Sequence, residues 1–150
     1  MRRRIESSIR TALVLYICSL PSCAPTDNVK QAEAEVDQFH QRWNEQYFTR
    51  IYNDAHIEFR NVQSAQKTIG QLQHNRNFYG NFKSGTQQSV KFSPQGPDKE
   101  ITLDYQSVYD RGTASEVFTF RITKGKPLLR NYRMVPGSAA KPQTAEAKRK

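Results

Sequence analysis

A length of 150 residues allows one domain with a modest core, and one Trp, seven Tyr and eight Phe set the chain apart from disordered sequences, which are poor in aromatics. The formal charge of +9 suggests nucleic acid, but of 23 basic and 14 acidic residues the first 22 positions hold four and one, and the positions from 137 onward another four and one. The 15 basic and 12 acidic residues left for 23–136 make the folded part only mildly basic; with no binding motif at its required spacing, no nucleic-acid partner is expected.

The chain opens with MRRRIESSIR, a positively charged start, followed by the apolar run TALVLYICSL. That run has the length of a secretion-signal core, and Pro21 halts it well short of the about 20 apolar residues that a membrane-spanning helix needs. Leu20-Pro21-Ser22-Cys23 resembles the bacterial lipobox, although Pro21 is not the commonest residue at its place. The resemblance implies cleavage after Ser22 and a diacylglyceryl group on the Cys23 thiol. The rival reading, ordinary signal-peptidase cleavage using Ser22 and Ala24, would leave Pro25 just beyond the cut, a poorly accepted position. Ala24, rather than Asp, after the modified cysteine implies transfer to the periplasmic face of the outer membrane if the cell is Gram-negative. Buried acyl chains contribute about 0.8 kcal/mol per methylene, so several of them make a lasting anchor. The other thiol, Cys18, lies in the discarded core, so the mature domain is expected to have no disulfide, no thiolate metal site and no nucleophilic cysteine.

After a polar tether over 23–28, the domain proper is expected over 29–136. Val29, Ala32, Val36, Phe39, Trp43, Tyr47 and Ile51 recur at spacings of three and four, which predicts one long amphipathic helix from Val29 to about Tyr52, capped by Asp27 or Asn28. A second helix is expected after Ser64, with Ala65, Ile69, Leu72 and Arg76 inward and a stop between Asn75 and Gly80. From Gly85 the period becomes two, and 86–92, 101–109, 114–122 and 128–135 read as strands punctuated by Pro94, Gly96 and Pro97, by Arg111-Gly112, and by Lys124-Gly125-Lys126-Pro127. Ile101, Leu103, Tyr105 and Tyr109 share one face, as do Phe118, Phe120 and Ile122. Helices followed by an antiparallel meander predict an α+β domain, a long N-terminal helix and a second helix packed on a curved four-stranded antiparallel sheet. Residues 137–150 lack periodicity and are expected to form a disordered basic tail.

Several of these residues carry a resemblance: Trp43 in the first helix, then Tyr52, Phe59 and Arg60, then Leu72, Arg76 and Tyr79-Gly80, Glu116 with Phe118, and Asn131-Tyr132. The layout is similar to an uncharacterised family of small exported bacterial proteins with a cystatin-like or NTF2-like cone; the aromatic that usually opens its last strand is here Pro127. The resemblance implies the fold and brings no activity with it.

Such cones can enclose a pocket between helix and sheet, and Asp37, His40, Trp43 and Tyr132 are the candidate lining. Asp37 and His40, three apart, can meet on a helix surface as an acid–base pair, whereas a boundary histidine and a core filled by the aromatics form the simpler expectation. His40, His56 and His74 lack the spacing of a helical zinc site, so no metal and no cofactor is expected. Arg121, Arg130 and Arg133 are candidate contacts for an anionic envelope component. The reading that follows is a non-enzymatic, lipid-anchored envelope protein that binds another protein or a ligand; the alternative is a small-molecule enzyme or carrier on an NTF2-like scaffold.

Overall fold

The computed structural model describes residues 25–93 and 99–137. The leader, Cys23, the turn at Pro94, Gly96 and Pro97, and the tail from 138 lie outside the described residues.

Helix α1, Pro25–Asn44, begins inside the stretch expected to be a tether. Proline suits a first helical turn, where the amide it lacks would have had no acceptor, and Asp27 and Asn28 therefore sit within the helix and do not cap it. The helix ends at Asn44, although Tyr47 and Ile51 continue its apolar spacing. Asn44 is tied to the start of the sheet: its Nδ2 donates to the Phe82 carbonyl at 3.0 Å, and its Oδ1 accepts from the Phe82 amide at 2.7 Å. The chain then reverses through Gln46, at φ 60°, and restarts as α2, Phe48–Asp54. The reversal buries Phe48 and Ile51 and leaves Tyr47 exposed, so the single long helix predicted over 29–52 is two.

A short helix not foreseen in the sequence, α3, Ile57–Val62, buries none of its residues. His56 caps it, its Nδ1 accepting from the Glu58 amide, while its own amide donates to the Leu129 carbonyl at 2.9 Å. Helix α4, Ala65–Tyr79, starts where Ser64 accepts from the Lys67 amide and buries Thr68, Leu72 and Tyr79; Ala65, expected inward, is exposed.

The sheet runs β1 (Phe82–Ser93), β2 (Glu100–Tyr109), β3 (Gly112–Thr123), β4 (Lys126–Pro136), all antiparallel and in sequence order. Lys124 and Gly125, both at positive φ, make the two-residue turn between β3 and β4, the geometry that matches strand twist. Register shifts in β1 and beside Thr119 and Phe120 mark bulges, which bend strands. The inward phase of β2 holds Ile101, Leu103, Ser107 and Tyr109, and that of β3 holds Ala114, Glu116, Phe118 and Phe120, all buried. Helix α1 lies across this face with Ala32, Val36, Phe39 and Trp43 turned toward it. The domain is thus α+β, with helices packed on one open four-stranded antiparallel sheet. Among the described residues no helix is long and apolar enough to cross a membrane.

Gly80 closes α4 at φ 83° and ψ −155°, a conformation that only glycine adopts without strain of about 1–3 kcal/mol. A Cβ there would also stand 2.6 Å from the Asp110 Cβ. Gly80→Ala is therefore expected to lower the urea midpoint by the equivalent of roughly 2 kcal/mol or more with an unchanged m-value; an unshifted midpoint would show that the turn relaxes freely.

Candidate functional site

Four side chains from four elements converge under α1. His40 projects from α1, Ser107 from β2, Glu116 from β3 and Tyr132 from β4. His40 Nε2 lies 2.9 Å from Glu116 Oε2, and Ser107 Oγ donates to the same oxygen. The Tyr132 hydroxyl donates to Glu116 Oε1 at 2.6 Å. The His40 Nε2–H serves as donor in the neutral tautomer that carries it as well as in the imidazolium. Aromatic rings wall the cluster: Phe82 stacks on the His40 imidazole at 3.6 Å, and Phe39 and Phe118 stand edge-on to it. Glu116 and Ser107 are 0 % exposed and His40 3 %.

Burial alone would push the Glu116 carboxyl up. The His40 hydrogen bond and charge, with the Ser107 and Tyr132 hydroxyls, outweigh it and hold the carboxyl below its ordinary 4.5, so the group is a carboxylate at neutral pH. Burial, and then the Glu116 charge, drive the Tyr132 and Tyr109 hydroxyls upward, so both keep their protons. The Tyr109 hydroxyl is buried beside Glu116 and Tyr132, close enough to feel that charge. Both oxygens of the Glu116 carboxylate are engaged, and the residue has no exposed surface. The arrangement holds four elements together.

Asp37 takes no part in this cluster. It is exposed and makes no bond to His40 although the two are three apart on α1, and its charge, after burial and Glu33, helps push the Tyr105 hydroxyl up to about 12. Trp43 is fully buried, its Nε1–H donating to the Gly80 carbonyl at 3.1 Å. Of the four residues expected to line a pocket, the structure brings His40 and Tyr132 together on Glu116, puts Trp43 in the core beside them, and leaves Asp37 outside. Beside Phe39 and Phe120 a hollow of about 30 Å³ has room for water, not for a ligand.

An open concavity lies elsewhere, between α3, α4 and the edge strand β4. It measures about 230 Å³, with Phe59, Leu72 and Met134 as apolar wall, Tyr132 at its base, and Thr68 and Arg133 among its polar groups. Tyr132 therefore has the groove on one side and the buried carboxylate on the other.

The three candidate arginines separate. Arg121 donates to Glu58 Oε1 and to Glu100 Oε1, both at 2.6 Å, and Arg130 bonds the same two carboxylates, to Glu58 through its Nε–H and to Glu100 at 3.0 Å. Two guanidinium and two carboxylate groups alternate in this quartet, which fastens α3 to β2, β3 and the bulged part of β4. The Arg130 hydrogen bond, opposed by burial and helped by the Arg130 and Arg121 charges, keeps the Glu58 carboxyl below its ordinary range. Arg133 stands apart at the groove and pairs with no acid among the described residues.

Sequence reasoning did not assemble the cluster around Glu116. The signal was there: counting back by two from Phe120 and Phe118 reaches Glu116, and counting on from Leu103 and Tyr105 reaches Ser107, so both polar residues fall on an inward phase. Among the described residues no group of three or more His, Cys, Asp or Glu gathers as a metal site. Compared with protein-family models the chain matches none, and it matches no curated protein.

Proposed function

We propose that the chain is a lipid-anchored protein of the bacterial envelope whose domain, of the cystatin-like or NTF2-like class, binds a ligand or partner without turning it over. The observation that carries the non-catalytic half is the saturation of Glu116. Its oxygens accept from His40, Ser107 and Tyr132, and Glu116 itself has no exposed surface, whereas a general base must reach a substrate proton. Support for the class comes from helices preceding an antiparallel meander and from α1 laid across the sheet. The anchoring half rests on the Arg-rich start, the short apolar run and Leu20-Pro21-Ser22-Cys23. A small-molecule carrier is the second reading, and the groove that touches Tyr132 favours it.

Metabolic labelling with palmitate in a bacterial host tests the anchor. The wild-type chain should incorporate label and sediment with membranes, and Cys23→Ser should lose the label and leave the membrane pellet. Equal labelling of both would remove Cys23 as the acylated residue, and an unlabelled wild type still beginning at Met1 would end the envelope reading.

A further inference from the structure

We infer that the groove between α4 and β4 is a binding site for a small amphipathic acid, with an apolar body seated on Phe59, Leu72 and Met134 and an anionic head held by Arg133 and Thr68. The inference rests on the non-catalytic binding reading and gives its ligand a chemistry.

Three independent observations lead to it. Thr68 is 6 % exposed and lines the groove, yet its Oγ1 is buried with no hydrogen-bond partner in the described structure. An unpaired buried hydroxyl is costly and uncommon, and a ligand acceptor would satisfy it. Arg133 is the one charged residue of the lining, and unlike Arg121 and Arg130 it has no carboxylate beside it among the described residues. The remaining polar lining, Gln63, Gln71 and Asn75, consists of neutral amides, so Arg133 is the single charge of the lining, and the Glu116 carboxylate behind Tyr132 is held by its own donors.

Size and shape narrow the ligand. Drug-sized pockets run to about 300–1,000 Å³, and at about 230 Å³ this groove suits a smaller body. Phe59, Leu72 and Met134 offer an aromatic ring, a branched chain and a thioether, surfaces on which a short alkyl chain or one aromatic ring packs. The Gln71 Nε2–H donates to Asn75 Oδ1 at 3.2 Å, which fixes the two amides and leaves the Asn75 Nδ2–H donors for the head group.

The test is titration of the ¹⁵N-labelled full chain with octanoate and with 3-phenylpropionate, alongside octanol and 3-phenylpropionamide as uncharged counterparts, following both protein and ligand resonances. Saturable one-site binding of at least one acid is expected, with shifts at Thr68, Gln71, Asn75 and Met134 and with binding of its uncharged counterpart about tenfold weaker or worse. Arg133→Gln should weaken the acid by about tenfold, and Thr68→Val, which keeps the shape and removes the hydroxyl, by severalfold. Both changed residues line a groove and leave the Glu116 cluster intact, and an unchanged melting midpoint shows that the variants fold. No saturable binding of either acid, or equal binding by the Arg133→Gln chain, overturns the inference while leaving the anchored binding protein standing. Groove shifts seen only with phosphatidylglycerol vesicles overturn it in favour of a lipid headgroup. An acid whose own resonances change into those of a product overturns the non-catalytic reading instead.

Discussion

Glu116→Ala should destabilise the domain by about 3–5 kcal/mol, the cost of removing one member of a buried charged and hydrogen-bonded set. The substitution strands the His40 imidazole and the Ser107 hydroxyl in the buried core and removes the acceptor of the Tyr132 hydroxyl. Against a total stability of roughly 5–15 kcal/mol this is a large fraction, and a urea midpoint lowered by about a fifth of its wild-type value or more is the expected reading. Replacing both partners, His40→Leu with Glu116→Leu, should recover part of the loss, because an apolar pair avoids the desolvation that each ion requires. The non-additivity of single and double variants measures the coupling. The charge has its own signature in acid. The folded carboxyl sits below its ordinary 4.5, so between those two points the unfolded chain binds more protons than the folded one, and stability rises with pH. The stabilising contribution is therefore complete above about pH 4.5 and is withdrawn as the pH falls below it. The gap in unfolding free energy between wild type and Glu116→Gln should narrow steadily below pH 4.5. A gap independent of pH would mean that the carboxylate is not what holds the cluster.

The same cluster shows how far a sequence can be read. Each strand was visible because alternation is a local signal with period two, and Leu103, Phe118 and Phe120 announced their inward face at once. What alternation cannot convey is which inward residues of different strands meet. Ser107 and Glu116 are nine residues apart across a hairpin, while Glu116 and His40 are 76 apart, and only the docking of α1 on the sheet joins them. The helix break at Asn44 was hidden for a related reason: the apolar spacing runs straight through it, and the cause is a pair of long-range hydrogen bonds to Phe82. Helix α3 escaped notice because it is short and fully buries none of its residues, so it leaves little periodic trace. Arg121 and Arg130 looked like free cations in the sequence because Glu58 and Glu100, which neutralise them, lie on other elements.

Trp43→Ala should be as damaging as loss of Glu116, for reasons of packing more than charge. Trp43 is 0 % exposed and lies among Phe39, Phe48 and Tyr109, so its truncation opens a cavity at the cost of about 3–5 kcal/mol. It also ties the end of α1 to the turn after α4, since its indole N–H donates to the Gly80 carbonyl, two residues before Phe82, which Asn44 clamps. Three elements, α1, α4 and β1, are therefore joined at one point, and a loosened Trp43 loosens all three. Trp43→Phe separates the two contributions: it keeps much of the ring volume and loses only the hydrogen bond and part of the packing, so it should cost clearly less than alanine. Because Trp43 is the sole tryptophan, circular dichroism must follow both variants. Equal losses for phenylalanine and alanine would show that the bond to Gly80 dominates, and a Trp43→Ala domain that melts with the wild type would mean the helix does not rest on the sheet through this residue at all.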